Sequence, residues 1–263
     1  MDTLTSQDGT TIAYEQTGTG PALILVDGAL CYRASGPSRP LAALLAPYFT
    51  VSIYDRRGRG DSGDTKPYAM EREIEDLEAL IQAVGGTAFV YGISSGAALA
   101  LEAAKRIPGI KKLALYEAPF IVDDSRPHLP ADNAAHFTAL IAADRRGDAL
   151  SLFMKQVEVP SIFVMLMRFM PVWKTLKAVA HTLPYDLTIV GDNQIGQPLS
   201  AKRWDSVKMP TLVMDGGKSP TWMRHGVKSL SDTLPNAKYR TLDGQTHMLK
   251  PEAVAPILKE FFA

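Results

Sequence analysis

Cysteine is almost missing from this chain. The one thiol, Cys31, has no partner for an internal disulfide, so a reducing, cytoplasmic setting is expected. An excess of either charge is missing too: 28 basic and 28 acidic side chains leave a net charge of zero. The basic residues form no stripe or tail, which argues against nucleic acid as a partner. Long hydrophobic runs are absent as well. The most lipid-like segment, IFVMLM at 162–167, stops at Arg168, far short of the roughly 20 apolar residues that cross a bilayer, so no membrane partner is expected. The opening MDTLTSQDGT has neither the basic start nor the apolar stretch of a leader peptide. With no H-E-x-x-H and no paired cysteines, neither a metal nor another cofactor is expected. The sequence leaves the oligomeric state open, a homodimer included.

What is present is a chain of 263 residues, 46% of them hydrophobic, enough to bury a large core. Short apolar runs bounded by Gly, Asp or Pro recur at ALILVDG (22–28), VSIYD (51–55), FVYG (89–92), KLALYE (112–117), TLVMDG (211–216) and KYRTLDG (238–244). Each reads as a strand, and helix-period segments such as AMEREIEDLEALIQAVGG lie between most of them. Near-continuous apolar strands alternating with helices predict an α/β fold, a mostly parallel sheet covered on both faces. Asp8-Gly9, set between two strand-like stretches, predicts an antiparallel hairpin at the start. The alternation stops after Glu117 and resumes near Met209, an interval too long for a structureless loop. We expect a helical cap over 120–205, with a weak strand at LTIV (187–190), inserted into a core made of 1–119 and 206–263.

Gly92-Ile93-Ser94-Ser95-Gly96 fits G-x-S-x-G, with a strand running in and a helix running out. The spacing selects Ser94 as the nucleophile on a sharp turn. The Ser95 amide and the start of the following helix then point toward the space where an oxyanion would develop. A serine hydroxyl needs a base. Of the five histidines, His128, His136 and His181 fall in the cap and His225 in a helical pattern, whereas His247 sits in LDGQTHML between the last strand and the last helix. That places it at the carboxyl edge of the sheet, within reach of Ser94. The acid is less direct. An aspartate is expected about three residues beyond the glycine of TLVMDG, but Ser219 stands there. Glu117, at the end of the preceding strand, is the favoured acid, with Asp215 and Asp243 as alternatives. Gly58-Arg59-Gly60-Asp61-Ser62-Gly63 matches the dinucleotide pattern G-x-G-x-x-G, yet DTKPYAM follows where the required helix should start.

With these parts assembled, the chain resembles the α/β-hydrolase superfamily over essentially its whole length. DRRGRGDS (55–62) is similar to that superfamily's D-x-R-G-x-G-x-S turn, which implies a structural brace. LILVDGAL is similar to the strand and oxyanion loop that usually read H-G-x, with Asp27 in the place of the histidine. The second oxyanion donor would then be a backbone N–H in Gly28-Ala29, Ala29 preferred. Within the superfamily, VDGAL, GISSGAA and YEAPF resemble the zearalenone lactonases, cofactor-free enzymes that open a macrocyclic lactone. The resemblance implies a Ser94, His247, Glu117 triad acting on an apolar ester or lactone, and, through PVWK, Trp173 as a substrate contact. Leu30, Met154 and Met170 are expected beside Trp173, since pliable thioethers suit irregular apolar ligands. A ligand-binding receptor on the same scaffold, or a cyclase or transacylase using the same residues, are the competing readings.

Overall fold

The structure is a computed structural model and describes residues 1–263. It opens with β1 (Asp2–Thr5) and β2 (Thr11–Thr17), an antiparallel pair with Thr5 opposite Thr11. Asp8 Oδ1 accepts the Thr10 N–H at 3.0 Å and Gly9 takes φ 84°, the local bond and left-handed backbone for which Asp-Gly is suited. Strand and helix then alternate through β3 (Ala22–Val26), α1 (Ser38–Leu45), β4 (Thr50–Tyr54), α2 (Met70–Ala83), β5 (Ala88–Ile93), α3 (Ser95–Ala104) and β6 (Ile110–Tyr116). Five helices follow: α4 (Asn133–Ala142), α5 (Arg146–Gln156), α6 (Ser161–Met167), α7 (Pro171–Val179) and α8 (Leu183–Val190). The chain closes with β7 (Thr211–Gly216), α9 (Thr221–Thr233), β8 (Ala237–Leu242) and α10 (Pro251–Phe262). None of these helices is long and apolar enough to cross a membrane.

The strands form one sheet in the order β1-β2-β4-β3-β5-β6-β7-β8, antiparallel from β1 to β4 and parallel beyond. Successive side chains of a strand point to opposite faces, and the two cores divide accordingly. Ile24, Val26, Val90, Leu113, Leu115 and Val213 pack on the side that carries α2, α3 and α9. Leu23, Leu25, Tyr91, Ala114, Leu212 and Met214 pack on the other, against α1 and α10. Burial on both faces explains why these strands read as unbroken apolar runs.

The interval between β6 and β7 contains no strand. Its helices have a core of their own, built around Phe137, Leu140, Leu150, Val164, Val179 and Leu183. LTIV lies within α8 rather than in the expected strand. Pro184 sits at the helix start, Gly191 (φ 43°) follows its end, and seven of its eight residues are buried. A short apolar run of that kind is the same whether strand or buried helix.

The DRRGRGDS turn is the brace the resemblance implied. Asp55 accepts backbone N–H groups from Arg33 at 2.7 Å and Asp61 at 2.9 Å. Ser62 Oγ donates to Asp55 O at 2.6 Å and accepts from Ala13 N at 2.9 Å, tying the turn to β2. Gly60 is needed here because a Cβ would lie within 2.5 Å of the Asp55 carboxyl carbon. No helix begins until Met70, so these glycines present no helix N-terminus to a pyrophosphate.

Candidate active site

Ser94 stands between β5 and α3 with φ 59° and ψ −130°, a conformation that costs a non-glycine residue free energy and persists only where the surroundings enforce it. Here the flanking glycines do so. A Cβ on Gly92 would lie 2.5 Å from Gly96 O, and one on Gly96 would lie 2.3 Å from Val26 O. The two glycines let α3 pack directly on the sheet, which lifts Ser94 to its carboxyl edge. Gly28, in the loop after β3, approaches closely as well: a Cβ there would sit 2.9 Å from Ser94 Cβ and 3.4 Å from Ser94 Oγ.

Glu117 follows β6 and is wholly buried, with a left-handed backbone at φ 48°. Its carboxylate is held from two sides. Oε1 accepts the Gly216 N–H at 2.7 Å, and Oε2 lies 2.8 Å from His247 Nδ1. A carboxylate only accepts, so Nδ1 carries the proton and Nε2 is left free as a base. His247 lies on the loop between β8 and α10, anchored one residue earlier by Tyr116 Oη donating to Thr246 O at 2.7 Å. Ser94 and His247 line one cavity of about 120 Å3 without a direct hydrogen bond between them.

The alternative acids stand elsewhere. Asp215 is also fully buried, but its Oδ2 accepts Tyr239 Oη at 2.6 Å and Arg224 Nε at 3.2 Å, away from the imidazole. Asp243 is exposed. Ser219, at the usual acid position, keeps its buried hydroxyl without a partner.

The loop after β3 is fixed by a buried ionic cluster. Arg59 donates through Nη1 to Gly28 O at 2.7 Å and pairs through Nη2 with Asp186 Oδ2 at 2.6 Å. Asp186, on α8, also receives Arg56 Nη1 at 2.8 Å and Ser95 Oγ at 2.7 Å, and Arg56 pairs with Glu73 at 2.7 Å. The two guanidinium groups hold the Asp186 carboxyl below its usual range despite the desolvation that opposes them. Across a trans peptide the carbonyl and the next N–H point oppositely, so fastening Gly28 O to Arg59 turns the Ala29 N–H the other way. That N–H meets no backbone carbonyl, and Ala29 and Ser95 both line the cavity. Asp27 is buried beside this loop, with Ser38 Oγ donating to it at 2.7 Å, and desolvation raises its carboxyl to about 6.

The expected substrate contacts are not at this cavity. Leu30 and Met154 are buried in the core of the helical segment, Trp173 packs against that core with the Arg168 guanidinium 5.6 Å above its ring, and Met170 is 53% exposed. Leu30, Met154 and Trp173 serve the packing of the helical segment, and Met170 faces solvent. The walls come instead from Phe153, Leu187, Val190, Trp222 and Met223, with Arg126 and Gln194 adding polar groups. The sequence did not single out Asp186, because the demand for its carboxylate comes from the full burial of Arg56 and Arg59, which exists only in the fold. Arg126 carried no pattern that would have singled it out.

The sequence model of the alpha/beta hydrolase family matches residues 18–257. An alpha/beta hydrolase of solved structure from Sphaerobacter thermophilus DSM 20745 is 54% identical, with TM-score 0.91 and all of both chains covered. The enol-lactonase from Burkholderia xenovorans LB400 shares the fold at TM-score 0.74 and 18% identity, over 99% of each chain. Among curated relatives, the uncharacterized hydrolase YraK of Bacillus subtilis is 33% identical over 107 residues, and a pimeloyl-[acyl-carrier protein] methyl ester esterase of Xanthomonas campestris is 35% identical over 102. Each of these two matches spans 38% of either protein. A strained serine between strand and helix, a matched span running from β3 into α10, and 54% identity over a whole chain agree: this protein belongs to the α/β hydrolase family.

Proposed function

We propose that this protein cleaves carboxylic esters or lactones with a Ser94, His247, Glu117 triad. The observation that carries the reading is the 2.8 Å bond between the wholly buried Glu117 carboxylate and His247 Nδ1, in the wall of the cavity that Ser94 enters on its strained turn. His247 Nε2 takes the Ser94 proton as Oγ attacks the carbonyl, and Glu117 stabilises the imidazolium that forms. The Ala29 and Ser95 amides, with the positive end of α3, stabilise the tetrahedral oxyanion. His247 then returns its proton to the leaving alcohol, and water repeats the sequence on the acyl-enzyme. The α4–α8 segment acts as a cap that supplies part of the apolar wall, with Trp222 and Met223 of α9 completing it.

The relatives named as esterase and lactonase support this chemistry. A cavity of about 120 Å3 is below the roughly 300–1,000 Å3 of pockets for drug-sized ligands, so it suits a compact acyl group better than a macrocycle. The test is hydrolysis of p-nitrophenyl butyrate, with Ser94→Ala as control and mass spectrometry to identify products. Turnover abolished by the substitution, with free acid formed, supports the reading. Binding without Ser94-dependent turnover would make the protein a receptor, and an ester or ring as product would make it a transacylase or cyclase.

A further inference from the structure

The fully buried arginines of this chain are neutralised. Arg33, Arg56, Arg57 and Arg59 are at most 4% exposed, and each holds a carboxylate at 2.6–3.1 Å. Arg126, in the loop between β6 and α4, is half-buried and lines the cavity of Ser94 and His247 without such a partner. Its Nη2 donates to Gln156 O at 2.8 Å and its guanidinium lies 4.3 Å above the Trp222 ring. Its Nε is buried with no partner at all. It forms no ion pair. The one carboxylate near enough to be felt, Glu158, instead accepts the Trp222 Nε1–H at 3.4 Å. Burial accordingly pulls the guanidinium below its usual value.

A guanidinium lying over an indole still presents its N–H groups in its own plane, and with Nη2 engaged by Gln156 O, Nη1 is the group left to meet a carboxylate. An unpaired, partly desolvated charge is costly, and a ligand that brings the opposite charge removes the cost. A single cation with Glu158 nearby suits one negative charge rather than two. On the triad reading above, we infer that the substrate carries a free carboxylate, held by Arg126, on an arm remote from the ester that Ser94 attacks.

The test compares monomethyl succinate, glutarate, adipate and suberate, and acetate esters of ω-hydroxy acids, with neutral methyl and alkyl esters of matched length. At least one acidic ester should exceed its neutral counterpart in kcat/KM by about 10- to 100-fold, the range of a hydrogen bond to a charged group. In Arg126→Met that ratio should fall to about one through a higher KM, and in Arg126→Glu it should fall below one. The inference is overturned if neutral esters match the acids throughout the panel, or if the preference survives Arg126→Met. A binding arm is independent of turnover: monomethyl suberate or monomethyl adipate should raise the melting temperature of Ser94→Ala but not of Ser94→Ala/Arg126→Met. Absence of any shift in the former overturns the carboxylate site, whereas absence of hydrolysis alone overturns only the triad.

Discussion

Replacing Glu117 by Gln changes one atom and isolates the role of the carboxylate. The side chain is wholly buried, with Oε1 facing the Gly216 N–H at 2.7 Å and Oε2 facing His247 Nδ1 at 2.8 Å. Gln can satisfy both neighbours in only one orientation. Its oxygen must accept from Gly216, because the flipped amide would set donor against donor where no water can compensate. The NH2 then points at Nδ1, which must give up its proton to accept it. The proton moves to Nε2, and the imidazole loses the lone pair meant for Ser94. The wrong tautomer costs about 10^4-fold in kcat in serine proteases altered in the equivalent way, or about 5 kcal/mol of barrier. We expect that loss in p-nitrophenyl butyrate hydrolysis, with little change in melting temperature since the Gly216 bond survives. Asp215→Asn is the contrast: kcat should stay within several-fold while stability falls, because Asp215 serves Tyr239 and Arg224. Retention of more than about one hundredth of the activity in Glu117→Gln, or an equal loss in Asp215→Asn, would refute this assignment of the acid.

Three further outcomes follow from the same site. Gly28→Ala places a methyl 2.9 Å from Ser94 Cβ and should lower kcat at least ~100-fold, about the value of one oxyanion donor, in the same assay. Arg59→Lys keeps a cation for Asp186 but lacks the fork that also holds Gly28 O, so kcat should fall ~10-fold or more with KM nearly unchanged. Asp27 has its carboxyl raised from 3.8 to about 6 by burial, so as pH rises through that window the unfolded chain releases a proton that the folded chain retains. Stability is therefore lost from about pH 4 to 6, by at most about 3 kcal/mol, and remains lost above. Asp27→Asn should abolish that component, seen as a higher melting temperature than the parent above pH 6 and convergence near pH 4.

Most of the architecture was written in local patterns. The hairpin at Asp8-Gly9, the apolar strands and the position of Ser94 each depend on neighbours a few residues away, which a linear reading can weigh. His247 and Glu117 are 130 positions apart, yet each could be placed because each follows a recognisable strand, Glu117 directly and His247 in the loop beyond. The helical segment between β6 and β7 resisted this approach. LTIV has the same hydrophobicity as a strand or as a helix buried on every side, and only packing against the core decides between them. Methionines and Trp173 marked a helical core as readily as a pocket. Arg126 shows the converse limit, since its significance is a missing partner, and a missing partner exists only in three dimensions.

The Asp186 cluster also bears on how ligands get in and out. Two guanidinium groups from the β4–α2 loop and the Ser95 hydroxyl grip one carboxylate on α8, so swinging that helix outward would strand several charges in a dry interior. Helix α8 must travel with the sheet as part of its rigid frame. Any outward movement of the helical segment is therefore left to α4–α7, where Phe163 and, in the link between α6 and α7, Phe169 stand in water.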